Sequence, residues 1–515
     1  MSEKIIVLDF GSQYTQLIAR RIRESRVFSE VVSCDIPIDD LLAKKPSGII
    51  LSGGPASVYQ KDAPLYDKML FFLGIPVLGI CYGMQLMTHV LGGKVEKSAH
   101  REYGNADIAI SDPSNLFRSI GKTTPVWMSH GDKIARLPKG FDVIAKTSNA
   151  PFAAIKDKKR SLYGLQFHPE VAHTPQGLRM LQNFIYSICG CQPSWTMSAF
   201  LKDAQHQIRE QVGDSKVISA ISGGVDSSVA SVLVGQVIGK KLSCVFVDNG
   251  LLRENEAKTV LESLQKKLNL NIRRVNAQDQ FLNKLKKIQN PEKKRKIIGK
   301  EFISVFEQEA KKSRAADSGF SFLLQGTLYP DVIESVSHRG PSATIKTHHN
   351  VGGLPARMRL KLIEPLRLLF KDEVRKLGAE LGIPETLLSR HPFPGPGLAI
   401  RILGEVTKER LARLRLSDGI VEEEIRAANL YNALWQAFAV YLPLRTVGVM
   451  GDERTYDDAI AIRAVTSVDG MTADWADIPR SILQKISTRI TNEVKGINKV
   501  VYDISSKPPS TIEWE

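Results

Sequence analysis

The sequence predicts two successive α/β domains built on parallel sheets, followed by a smaller α+β domain. Three observations carry this expectation. The 515 residues are too many for one ordinary core. Apolar runs of strand length alternate with helical patterns and glycine-rich turns, first from Lys4 to about Ser187 (IIVLDF, GIILSG, IPVLGI, DVIAKT, LYGLQF). The alternation resumes at KVISAISGG and continues through LSCVFVDNG and NIRRVNA. It ends at HPFPGPGLA, His391–Ala399, where three prolines within five positions forbid regular helix or central strand. CGCQPSW, Cys189–Trp195, reads as a linker, so the expected domains are 1–190, 196–391 and 392–515.

Composition excludes several classes. Hydrophobic residues at 43% and charged residues at 24% are ordinary globular values, which leaves no case for a disordered chain. No stretch approaches the roughly 20 apolar residues of a spanning helix, and MSEKIIVLDFGSQ lacks the features of a signal peptide, so a cytoplasmic protein is expected. Five irregularly spaced cysteines argue for reduced thiols rather than a disulfide framework. The net charge of +15 suits either RNA or phosphorylated small molecules. The densest basic run, PEKKRKIIGK at Pro291–Lys300, reads as a helix whose cations are either a solvated face or a grip on phosphate.

The first chemical signal is Gly79-Ile80-Cys81-Tyr82-Gly83, a strand, a sharp turn and a helix with a thiol at the apex. The flanking glycines relieve crowding, and the helix N-terminus favours an anionic sulfur. A base is offered by YGLQFHPEVAHT. His168 and Glu170 are two apart and share one side of an extended segment, so the carboxylate can orient the imidazole. Backbone N–H groups of Gly54, in ILSGGPAS, and of Tyr82 would complete an oxyanion hole.

The second signal is a phosphate loop without a lysine. Ser222-Gly223-Gly224-Val225-Asp226-Ser227-Ser228 supplies consecutive backbone N–H groups, hydroxyls and a carboxylate at a helix N-terminus. A P-loop would carry its lysine there. If the loop instead holds the β- and γ-phosphates as a departing unit, ATP is cleaved between α and β, giving pyrophosphate and an adenylate. Lys346, in IKTHHNVGGLP, is the expected replacement cation, with a surface lysine as the alternative. Asp226 is the expected ligand of Mg2+, although its position also fits helix capping. The neighbours His348 and His349 would face opposite sides of a strand, so no metal is assigned to them.

The cysteine, histidine and glycine segments, with DFGSQYTQLIARR and WMSHGD, resemble a class I glutamine amidotransferase domain. That resemblance implies that Cys81 attacks the side-chain amide of glutamine while His168 moves the proton. SGGVDSS resembles the signature of the Rossmann-like ATP pyrophosphatase family. HPFPGPGLAIR, VGVMGDERTYDDAIAIRAV, MTADWA and KPPSTIEWE extend the likeness along the whole chain to the glutamine-hydrolysing GMP synthetase family. This resemblance implies a ligase that aminates XMP at C2 through an adenylated intermediate. It further implies XMP contacts at Arg401, Lys507, Thr511, Ile512 and Glu513, and a homodimer formed through the C-terminal domain. Glutamine, ATP and XMP are then the partners, without organic cofactor, nucleic acid or membrane. One departure is Gln289-Asn290, where the family usually has an acidic residue before the basic run. An ATP pyrophosphatase that modifies tRNA is the alternative, but its thiolation would need a second cysteine near the ATP loop, and Cys244 has none there.

Overall fold

Among the described residues up to Phe200, nine strand segments join one sheet. They are β1 (Lys4–Asp9), β2 (Phe28–Ser33), β3 (Gly48–Leu51), β4 (Val77–Ile80), β5 (Lys94–Ile110), β6 (Thr123–Arg136), β7 (Asp142–Lys146), β8 (Ala154–Asp157) and β9 (Leu162–Leu165). The computed structural model describes residues 3–314, 319–336, 360–450, 453–467, 470 and 472–515. These fall into two units, the first holding the chain up to Phe200 with a short stretch from Thr327, the second the remainder.

Among the described residues the sheet of the first unit runs β2-β1-β3-β4-β9-β8-β7-β5-β6. Its first five strands are parallel. β3, β4 and β9 are buried at every position, as strands covered on both faces must be. The other four strands pair antiparallel and extend the sheet beyond the parallel half that the sequence predicts. β6 has the reason in its burial, which alternates along TTPVWMSHGDKIAR with one face covered and one open. Such a strand suits an antiparallel setting.

The second unit carries a parallel sheet in the order β12-β11-β10-β13-β14, from β10 (Lys216–Ile221), β11 (Leu242–Asp248), β12 (Ile272–Asn276), β13 (Phe320–Leu324) and β14 (Lys361–Ile363). β15 (Gln436–Met450), β16 (Glu453–Thr466) and β17 (Asp474–Trp475) form an antiparallel sheet, to which β18 (Ile497–Tyr502) adds parallel to β16. Helices Lys408–Ala427 and Arg480–Glu493 complete the α+β part. One apolar cluster runs from Ile218, Val245 and Leu323 to Tyr441, Ile460, Ile486 and Ile497. The turn from one sheet to the other near His391 is therefore a change of sheet within a continuous core.

The basic run does begin a helix, Pro291–Arg314. Its cations are not all solvated, because Lys294 is fully buried. Its Nζ donates to the carbonyls of Ala399, at 3.1 Å, and Ile402, at 2.7 Å, and pairs with Glu515. Burial lowers its pKa, with Glu515 opposing the shift.

Packing beside the first sheet is close at Gly83, where an added Cβ would stand 2.6 Å from Leu51 Cβ and overlap the Leu51 carbonyl. Gly83 also donates its backbone N–H to Ser52 O at 3.1 Å, so the helix cannot retreat without losing that bond. Gly83→Ala should therefore cost about 1–3 kcal/mol of stability, read as a lowered denaturant midpoint. An unchanged midpoint would show that the helix is free to shift.

Candidate active site

Cys81 stands between β4 and the helix Tyr82–Val90 with φ +49° and ψ −103°, a backbone conformation that a residue with a side chain rarely adopts. Two contacts hold it there. Its N–H donates to Leu165 O on the neighbouring strand β9 at 2.7 Å, and its carbonyl accepts from Gln85 N at 3.1 Å. The conformation lifts the thiol to the mouth of the turn, where its Sγ is 3.6 Å from Ser129 O.

Because β9 lies beside β4, the residues that follow β9 arrive next to the cysteine. His168 Nδ1 is 2.7 Å from Glu170 Oε1, and both side chains are almost completely buried. The segment is pinned at each step. His168 N–H donates to Trp127 O at 3.0 Å, Thr174 Oγ1 donates to His168 O at 2.7 Å, and Arg21 Nε donates to Glu170 O at 3.0 Å. Burial disfavours the imidazolium, but the Glu170 charge and the hydrogen bonds with Cys81 and Glu170 outweigh it, so the His168 pKa stands well above its ordinary value. The expected trio is thus brought together, and a thiol beside an imidazole that readily takes a proton can form and hydrolyse a thioester.

The glycine pair joins the same site. A Cβ on Gly53 would stand 3.3 Å from His168 Cε1, and one on Gly54 3.4 Å from the Tyr82 ring and 2.7 Å from Phe10 O. Only glycines let this backbone lie so close to His168 and Tyr82.

In the second unit, the loop Ser222–Ser228 follows β10 and opens the helix Val225–Ile238. Gly223 has φ +84°, which lets the chain turn through the left-handed region. The hydroxyls fix the loop from within. Ser222 Oγ is 3.2 Å from Ser227 Oγ, and Ser227 and Ser228 both donate to Gly224 O, at 3.1 and 2.9 Å. Gly224 is the N-cap, and no side chain caps the helix, so Asp226 does not serve as the cap. Its two carboxylate oxygens each lie 2.6 Å from Lys371 Nζ.

Lys371 is the residue that sequence reasoning missed. It starts the helix Lys371–Glu380 and lines the same cleft as Ser222, Gly223, Gly224 and Asp226. Lys346, His348 and His349 lie outside the described residues. Arg390 borders the loop as well, donating to Gly223 O at 3.5 Å and to Glu256 Oε1 at 2.8 Å. Burial brings the His391 pKa down to about 4, and its ring stacks on Tyr431 at 3.8 Å. Its Nε2–H donates to Tyr431 O while Nδ1 accepts from Ala437 N, so a neutral imidazole closes this side of the cleft.

Among the described residues no group of three or more His, Cys, Asp or Glu side chains could hold a metal ion. Two carboxylates line the cleft of the phosphate loop, Asp226 within the loop and Glu256 beside it. That donor set fits Mg2+, which is ordinarily bound by one or two carboxylates together with substrate phosphates.

The expected XMP residues are divided. Arg401 is fully buried, with Phe438 3.9 Å from its guanidinium carbon, and it pairs with Glu513 at 2.8 and 3.1 Å. Thr511 O accepts from Arg463 at 3.2 Å, and Ile512 packs on the cluster around Phe438 and Val440. Lys507 is held separately, its Nζ donating to Gly470 O at 2.7 Å. The terminal segment is therefore a clamped strap.

A thiol–imidazole–carboxylate site on one sheet and a lysine-free phosphate loop on another define an amidotransferase joined to an ATP-dependent synthetase. Residues 6–188 match the family model of class-I glutamine amidotransferases, residues 212–316 that of the thiamine biosynthesis protein ThiI, and residues 423–514 that of the GMP synthase C-terminal domain. The chain is 57% identical over 513 residues to a glutamine-hydrolyzing GMP synthase of Brachyspira hyodysenteriae, covering 100% of this chain and 99% of the relative. It is 57% identical over 511 residues to that of Aquifex aeolicus, covering 99% of each. The chain belongs to the glutamine-hydrolysing GMP synthase family.

Glu170→Gln removes the charge that raises the His168 pKa, so the pH at which this imidazole titrates should fall, as read by NMR of the ring. Glutamine hydrolysis should drop by about a hundredfold or more. An unmoved titration would mean that Glu170 does not hold the proton on His168.

Proposed function

We infer that this chain makes GMP by aminating XMP at C2, with glutamine as nitrogen donor and ATP as activator. One observation carries the reading. A strained cysteine beside an imidazole–carboxylate pair shares a chain with a phosphate loop whose cation comes from a distant helix, in a sequence that matches GMP synthases from end to end.

In the glutamine site Cys81 Sγ attacks the side-chain amide carbon while His168 takes the thiol proton. The N–H groups of Gly54 and Tyr82 receive the developing oxyanion. His168 returns the proton to the departing nitrogen, ammonia leaves, and water then hydrolyses the thioester to glutamate.

In the synthetase site the C2 oxygen of XMP attacks the α-phosphorus of ATP. The bond from that phosphorus to the bridging oxygen breaks, and the β- and γ-phosphates depart as pyrophosphate. Backbone N–H groups from Ser222 to Ser228 and the cation of Lys371 hold the departing group. Magnesium, held by the phosphates and Asp226, would neutralise part of its charge. Ammonia adds at C2, AMP is expelled, and GMP results. Arg401, Lys507, Thr511, Ile512 and Glu513 are assigned to XMP, and Lys346 to the phosphates.

We assign the glutaminase to residues 1–190, the synthetase to 196–391 and the dimerisation and XMP-binding part to 392–515. A homodimer through that last part is supported by the hairpin of β15 and β16, which exposes Leu444, Val447, Val449 and Tyr456. We place the protein in the cytoplasm, consistent with five free thiols. No described helix is long and apolar enough to cross a membrane. The tRNA-modifying reading gains no support from Cys244, which is buried, with its pKa pushed up to about 12 by burial.

Cys81→Ala should abolish synthesis from glutamine and leave synthesis from ammonium, measured as XMP-dependent release of AMP and pyrophosphate. Release of ADP and orthophosphate instead would overturn the adenylation step. Lys371→Met should slow synthesis from either nitrogen source by about a hundredfold, whereas loss confined to the glutamine reaction would refute its place at the phosphates.

A further inference from the structure

The sulfur of Cys81 has a neighbour on which the triad does not draw. Gln166 Nε2 lies 3.8 Å from Cys81 Sγ, and its side chain is almost wholly shut off from water. Which end of a glutamine amide faces a partner is decided by the rest of its hydrogen bonds. Here the decision starts at the Asp132 carbonyl, which can only accept. His130 Nδ1 donates to it at 3.0 Å and Gln85 Nε2 at 3.2 Å, so Gln85 must present its nitrogen. The second hydrogen on that nitrogen goes to Gln166 Oε1 at 3.3 Å. With its oxygen engaged, Gln166 has only N–H to offer the sulfur.

We propose that Gln166 is a further catalytic residue of the glutamine site, its amide N–H holding the Cys81 sulfur as the thiolate that attacks. The physical need is visible at Ser129, whose carbonyl oxygen lies 3.6 Å from the same sulfur. That oxygen accepts from the thiol and repels the thiolate. Gln166 does the reverse, because a donor binds an anion more strongly than a neutral sulfur. His168 approaches from its own strand end, and when protonated it is the other donor to the sulfur. Gln85, buried at 3% exposure, acts as a positioning residue that keeps the Gln166 amide from flipping. Gln166, His168 and Glu170 all fall in the short bend-and-turn stretch that follows β9, so one stretch carries the donor, the base and its orienting carboxylate.

The inference rests on the glutaminase reading, and its test separates the two. In the full chain, alkylation of Cys81 by iodoacetamide is followed by mass spectrometry of the Cys81 peptide as a function of pH, for wild type, Gln166→Met and Gln85→Met. Methionine keeps the length of the side chain and fills its volume without a donor. In Gln166→Met the half-maximal pH of alkylation should rise by about one unit, a roughly tenfold loss of reactive sulfur at fixed pH below it. Gln85→Met should move it the same way by less. Unmoved profiles in both variants, in a protein whose wild type hydrolyses glutamine through Cys81, would overturn the role of Gln166 alone. If Gln166→Met does not fold, Gln85→Met decides, and its unchanged profile overturns the proposal. Retention of glutamine-dependent synthesis by Cys81→Ala would instead sink the glutaminase reading itself.

Discussion

The hydrogen bond from Cys81 N–H to Leu165 O, 2.7 Å long, is the contact on which the first site depends. It crosses from β4 to β9, strands that neighbour each other only through the folded order of the sheet, since 81 residues lie between Ile80 and Leu162. The same bond holds Cys81 in its strained turn and fixes the strand that leads into His168. Strain of this kind costs about 1–3 kcal/mol, so it persists only where surrounding bonds over-determine it. Leu165 O and the close fit of Gly83 against Leu51 supply that constraint.

Both sites obey one topological rule. In open parallel sheets, ligands gather outside the carboxyl ends of the strands. Cys81 and Gln166 follow β4 and β9, while Ser222–Ser228 follows the central β10 of the second sheet. Gly326, just beyond β13, would place a Cβ 3.2 Å from Ser227 N, so the neighbouring strand end closes on the loop. What differs is the electrostatic setting. The first site surrounds one sulfur with a few polar groups, among them Gln166 Nε2 and Ser129 O. The second is lined with cations, three of which have an anionic partner: Lys371 with Asp226, Arg390 with Glu256 and Arg253 with Asp418. Buried cations left unpaired would cost several kcal/mol each. The pairing therefore keeps the fold stable while leaving charge beside the cleft.

Much of this was legible in the sequence, because it depends on local pattern. Strand-length apolar runs marked β1, β3, β4, β9, β10 and β11, and glycines around Cys81 marked the strained turn. The spacing of His168 and Glu170 pointed to their pairing, which the structure makes through a turn rather than the expected extended segment, and nothing in it marked Gln166. What stayed hidden depends on long-range pairing. Lys371 is 145 residues from Asp226, and nothing in LFKDEVR distinguishes it from a lysine at an ordinary helix start. Lys294 sits among four basic residues of KKRK, and only the packing of its helix against Ala399 and Ile402 selects it for burial. The core that passes beneath the prolines near His391 was equally invisible, since a break in regular structure need not be a break in packing.

The source of the cation bears on which bond of ATP breaks. A lysine built into the phosphate loop moves with the loop and reaches the β- and γ-phosphates, favouring departure of the terminal phosphoryl group. Here the loop carries only backbone donors, hydroxyls and Asp226, and the ammonium group enters from a separate helix held at the carboxylate. A dianionic pyrophosphate face competes well with one carboxylate for that ammonium group, since charge-assisted bonds scale with the charge of the acceptor. Transfer of Lys371 from Asp226 to the departing phosphates would thus be coupled to release of the carboxylate for a cation that accompanies them. Such an exchange would stabilise charge where the α–β bridge opens, which is how a loop without lysine would serve the proposed adenylation instead of phosphoryl transfer.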